Sequence, residues 1–147
     1  MNDTTFFPGV MDFDLTFEHK YARVWSNPTR KIVICELLTD YVPIEDFKEV
    51  FTEIGYLVKA GDFTKFIFDK RALRAFHQPT MEWYFIHWKK EMLGYGLKTH
   101  RKILPAEKWF EKMVQIAKAQ IITQYPDNII DQLDIAYCDT IEAAILS

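Results

Sequence analysis

The sequence predicts an α/β fold, and three observations carry that expectation. Period-two apolar runs open the chain, and helical stripes then alternate with short β-branched or aromatic runs. Turn signals fall between them: Asn27-Pro28, Gly61, Gly94-Tyr95-Gly96 and Pro126-Asp127. The 147 residues suit one domain, and 49% hydrophobic content with 16% aromatics supplies a core. The expected architecture is a mixed, mostly parallel sheet of about five strands with roughly four helices and an N-terminal β-hairpin.

Residues 1–12 carry a Pro8-Gly9 turn signal and read as a loosely held arm, and residues 13–147 as the domain. Phe13, Leu15 and Phe17 alternate with Asp14, Thr16 and Glu18, as in a half-buried strand. Residues 21–25 continue extended, Ser26–Thr29 turns, and the β-branched run 31–37 completes an antiparallel hairpin. Pro43 opens the first helix, with Glu45 and Asp46 at its positive end. Ile44, Phe47, Val50, Phe51, Ile54, Leu57 and Val58 form one stripe, and Gly61 closes it. Lys65–Asp69 reads as the central strand.

A second helix is expected over about 80–93, with Thr80 as N-cap and Met81, Tyr84, Phe85, Trp88 and Met92 on one face. A short strand near 101–104 follows, and Lys98–Lys102 (KTHRK) reads as its solvated lead-in at a sheet edge. Pro105 introduces a third helix whose buried side is expected to hold Trp109, Phe110, Met113, Val114, Ala117 and Ile121. A strand over 133–137 and a final helix, capped by Asp139 with Glu142 three residues on, complete the order β-β-α-β-α-β-α-β-α.

That order, with its local signatures, resembles the SpoIIAA-like group of STAS domains. The features that carry it are the hairpin around Trp25, the run Tyr41–Lys48, the Phe68-Asp69 strand end, the helix with Trp83, Gly96-Leu97-Lys98, and Asp139–Ala144. The resemblance spans roughly residues 13–147 and implies a compact regulatory or ligand-binding module. In anti-sigma-factor antagonists the equivalent strand ends in Asp followed by a phosphorylatable Ser. Here Asp69 is followed by Lys70, Arg71 and Ala72, so the resemblance does not carry a phospho-switch. Some SpoIIAA-like proteins are also compared with lipid-binding Sec14-type folds, an analogy of fold alone.

The sequence singles out no catalytic group. Only Ser26 and Ser147 are present, without a nucleophile elbow, and no glycine-rich phosphate loop occurs. Cys35 and Cys138 read as buried free thiols. No metal site is expected, since His87 and Glu91, four apart, offer only two ligands on one helix. No cofactor is expected. A net charge of -3 argues against nucleic acid. The N-terminus lacks signal-peptide features, no apolar run approaches the ~20 residues of a membrane span, and the default location is the cytoplasm.

The expected site is the loop and helix over 69–92. Asp69, Lys70, Arg71, Arg74, His77 and Thr80 are grouped there, and free N–H groups at the helix start favour an anion. Two readings stand. One is a non-enzymatic regulatory module that binds an unknown protein partner or a second copy, with Trp83 and Trp88 as anchors and Arg71 and Arg74 steering. The other is a carrier or sensor of a small apolar or amphipathic ligand. Its tail would lie among Phe66, Phe68, Phe85 and Trp88, and its anionic head near Arg71 and His77.

Overall fold

The computed structural model describes residues 4–7 and 11–147, with side chains from Phe13 onward. Seven strands form one sheet in sequence order: β1 (Thr4–Phe7), β2 (Met11–Glu18), β3 (Ala22–Asn27), β4 (Ile32–Leu37), β5 (Lys65–Asp69), β6 (Thr99–Ile103) and β7 (Asp134–Tyr137). The first three pairings are antiparallel and the last three parallel. Thus β2, β4, β5, β6 and β7 run one way, and β1 and β3 the other. Residues 1–3 and 8–10 of the expected arm lie outside the described residues; Thr4–Phe7 and Met11-Asp12 are strand.

The helices are α1 (Ile44–Ala60), α2 (Gln78–Trp83), α3 (Lys89–Leu93), α4 (Lys108–Gln124) and α5 (Ile141–Leu146). A π-helical turn, Tyr84–Trp88, joins α2 to α3, so these make one rod. Right-handed crossovers between parallel strands that advance steadily in one direction must place their helices on one face. Accordingly α1, the α2–α3 rod and α4 share a core with Val33, Cys35, Phe66 and Phe68. On the other face α5 packs Ile141, Ala144 and Ile145 against Phe13, Trp25, Ile34, Ile67 and Ile103.

The stripe expected on α1 is its buried face, and Gly61 is its C-cap, donating to the Leu57 carbonyl. The second rod starts earlier than expected. His77 is its N-cap, with Nδ1 accepting the Thr80 N–H at 3.3 Å, so Thr80 lies inside the helix. Gly96 ends the rod at φ +97°, a conformation glycine adopts at little cost. The last helix is capped by Thr140, which accepts the Ala143 N–H, and not by Asp139.

Two further expectations are corrected. The third helix starts at Lys108, three residues after the expected Pro105, and it buries Phe110, Val114, Ala117 and Ile121 while Trp109 (47%) and Met113 (41%) stand exposed. Burial there follows the i, i+4, i+7, i+11 ridge, and a sheet on one side covers only that ridge. More consequentially, β6 is an interior strand between β5 and β7. His100, Arg101 and Lys102 are therefore buried instead of solvated.

Candidate functional site

Strands β4 and β5 deliver their C-terminal ends beneath the start of α2. A cavity of about 60 Å³ lies there. Its walls include Leu37 at the end of β4, Phe68 and Lys70 at the end of β5, Phe47 from α1, and Met81 and Tyr84 from the second rod. Exposed Tyr41 and His77 stand at its rim. The loop beside it is tied on two sides: the Lys70 N–H donates to the Ile103 carbonyl at 2.8 Å, and the Arg74 N–H to that of Asp40 at 2.8 Å.

Six of the seven residues expected at a site do lie around this loop, but their chemistry is divided. Asp69 is buried and points to the α5 face of the sheet, since it shares the alternation of Lys65 and Ile67. Arg71 grips it with two bonds, Nε to Oδ1 at 2.9 Å and the terminal nitrogen to Oδ2 at 2.7 Å. The Asp69 carboxylate in turn raises the Arg71 pKa. Arg74 donates to the carbonyls of Arg71 and Leu73 and pairs with Glu107 at 3.0 Å. Both guanidinium groups are thus already engaged. His77 and Thr80 stay with the cavity, and their Nδ1 and Oγ1 lie 2.7 Å apart. Trp83 is half-buried beside Phe47, with the Lys48 ammonium 5.8 Å from its ring. Trp88, 3% exposed, belongs to the core, where its indole N–H donates to the Phe51 carbonyl at 2.7 Å.

Among the described residues the one cation that faces the cavity is Lys70, which is only 7% exposed. Its ammonium sits 5.1 Å from the Phe68 ring and has no hydrogen bond or ion pair among the described residues. Burial lowers its pKa from 10.5 to about 8. The expected tail environment is mostly packed: of Phe66, Phe68, Phe85 and Trp88, only Phe68 borders the cavity.

Sequence reasoning missed a deeper group of amines. Lys89 and Lys102 are both 0% exposed, and their Nζ atoms lie 4.2 and 4.1 Å from the Phe85 ring centroid. Burial holds both pKa values well below the usual lysine range; Lys89 lowers that of Lys102 further by repulsion, and Lys70 and Lys118 lower both. Lys102 shares the face of Phe68 and Tyr137, its register partners. The available signal was Lys102 falling on the same face as His100, on a strand whose position in the sheet depended on β7.

A His19, Asp46 and Glu49 cluster brings three liganding groups within 4.8 Å of one another. Nδ1 of His19 accepts the Tyr21 N–H at 3.2 Å, so the neutral ring carries its proton on Nε2. That nitrogen offers the carboxylates a donor, not the lone pair a metal needs. The reactive prospects of Cys35 are similarly poor, because burial pushes its thiol pKa far up. His87 and Glu91 do not act as a pair: Glu91 binds Lys59 at 2.8 Å.

No family model, curated protein or solved structure matches the chain. None of the described helices is long and apolar enough to cross a membrane.

Proposed function

We propose that this chain is a non-enzymatic binding module of SpoIIAA-like type that takes a small amphipathic molecule with an anionic head group. The observation that carries this reading is Lys70. It presents a buried amine without a counter-charge to the wall of an apolar cavity, and an anion there would supply the missing partner. At about 60 Å³ the cavity is smaller than the ~150 Å³ that holds benzene, so the ligand seats a short segment and not a lipid chain. Phe68, Phe47 and Met81 receive that segment, and His77 and Thr80 mark the entrance.

Thermal shift with butyrate, butyl phosphate and 1-butanol tests the reading. The two anions raise the melting temperature of the unmutated protein, and the alcohol does not. Lys70→Met removes the difference. Equal shifts for butyrate and butanol, or full retention in the variant, would refute a role for Lys70.

A second reading, a homodimer or partner-binding module, is favoured by a different element from the one first expected. Trp109, Met113 and Ile116 are exposed at i, i+4 and i+7 on α4. The rings of the 78–93 rod are largely consumed by the core.

A further inference from the structure

Four polar side chains from separate positions converge beneath the second helical rod. Lys70 follows β5, Tyr84 begins the π turn, Lys89 opens α3 and Lys102 lies on β6. The Nζ atoms of Lys89 and Lys102 are 4.8 and 5.3 Å from the Tyr84 ring centroid. The Tyr84 hydroxyl has no hydrogen-bond partner among the described residues, and the two amines meet no acceptor there other than each other. No described carboxylate forms an ion pair with Lys70, Lys89 or Lys102.

The other titratable groups facing this spot supply no negative charge. Cys35 and Tyr137 come from the neighbouring strands, and burial keeps both protonated. His100 is on β6, with its pKa lowered by burial. Lys118 approaches from α4 and adds repulsion. An arrangement of this kind is costly when empty, because buried donors lack acceptors and burial with repulsion forces the amines to give up their charge.

We propose that the cluster is a phosphate site, in which a phosphate or phosphate-monoester dianion sits among Lys70, Lys89, Lys102 and the Tyr84 hydroxyl. Each ammonium carries three N–H donors and Tyr84 adds one, matching the several acceptor oxygens of a phosphate. The charge balance favours a dianion over a carboxylate: two protonated inner lysines are neutralised by one phosphate, whereas a carboxylate neutralises one of them. In the empty site burial and repulsion favour the neutral amines, so the dianion enters with uptake of protons from solvent. The cavity shares Lys70 and Tyr84 with the cluster, whereas Lys89 and Lys102 lie behind its wall, so in this proposal the anion enters past Lys70 and Tyr84. The inference rests on the small-anion reading for that entrance, and adds the head group and the inner lysines.

Calorimetric titration of the full chain with inorganic phosphate, in two phosphate-free buffers of different ionisation enthalpy, is the test. The expected result is saturable binding with proton uptake and an affinity that falls as pH rises from about 7 to 9. Lys89→Met and Lys102→Met each weaken phosphate binding about tenfold or more. Each also raises the melting temperature of the empty protein, because methionine occupies similar space without an amine to desolvate. Unaltered phosphate affinity in both variants, or no saturable heat at millimolar phosphate, would overturn the proposal. Should a variant fail to fold, the unmutated protein still decides: phosphate raises its melting temperature and chloride at equal ionic strength does not. Phosphate has no apolar tail, so the two readings fail separately. Phosphate binding without any response to butyrate refutes the cavity as a tail site. A butyrate response without phosphate binding refutes the inner cluster.

Discussion

Replacing Lys70 by methionine isolates the cost of holding an amine against the cavity wall. The folded chain lowers this pKa from 10.5 to about 8 through burial, and the side chain is only 7% exposed. At ~1.4 kcal/mol per pH unit, that difference of 10.5 − 8 makes the charged form about 3.5 kcal/mol less favourable in the folded state. Below pH 8 Lys70 is protonated in both states, and the folded state bears the whole cost. Between pH 8 and 10.5 the unfolded chain keeps the proton that the folded chain has released, so unfolding free energy rises with pH. Above 10.5 both states are neutral and the cost is gone. Lys70→Met is therefore more stable than the unmutated protein by up to about 3.5 kcal/mol at pH 7, and by less than about 1 kcal/mol at pH 10. The Phe68 cation–π contact, lost in the variant, trims the first figure. Urea denaturation followed by tryptophan fluorescence at both pH values gives the two differences, and their comparison cancels the titrating groups that do not interact with Lys70; Lys89 and Lys102 do interact with it. A pH-independent difference, or a variant less stable at pH 7, would refute the reasoning.

The remaining predictions concern the frame around the site. Trp88→Ala empties a space enclosed by Phe51, Phe66 and Tyr84 and costs about 3–5 kcal/mol, read from the urea midpoint. Arg71→Ala leaves the buried Asp69 carboxylate with the Arg71 backbone N–H alone; a loss of about 1–2 kcal/mol is expected, below that of a fully buried pair because the arginine side chain is 46% exposed. Thr140→Ala removes the cap of α5 and costs about 1 kcal/mol by the same measurement. Trp109→Glu together with Met113→Lys changes stability by no more than ~0.5 kcal/mol for each exposed position. If α4 joins two copies, the same double variant is monomeric by light scattering at concentrations where the unmutated protein is not.

The legibility of individual elements follows their dependence on local pattern. The α1 stripe was readable because seven apolar positions at helical spacing admit one buried face, and the same face packs on Phe66 and Phe68. The second rod was readable as a helix but not in its middle. The π turn over Tyr84–Trp88 has no local sequence signature, and Trp88 lies in the core, where its N–H reaches Phe51, a partner 37 residues away. The candidate site was located but not resolved. Residues 69–80 pointed to the strand end, yet which cation remained unpaired depended on strand alternation and on contacts from other elements. Asp69 and Lys70 are sequence neighbours that leave the sheet on opposite faces, so Arg71 was taken up by the first and the cavity received the second.

By itself the sequence determined the class of this protein: apolar periods of two and then 3.6, with turn residues between them, impose a hairpin followed by alternating strands and helices. Tertiary structure alone decided that His100–Lys102, within the basic run 98–102, is interior. A run with Lys, Thr, His, Arg and Lys has the composition of a surface, and nothing within it specifies two neighbours. The pairing of β7, more than thirty residues later, closes β6 on its open side, and the helices on the shared face then close over Lys102. Burial of a strand is a property of the sheet order, which is set by distant segments, and so the amines that define the inner cluster become visible only in the folded chain.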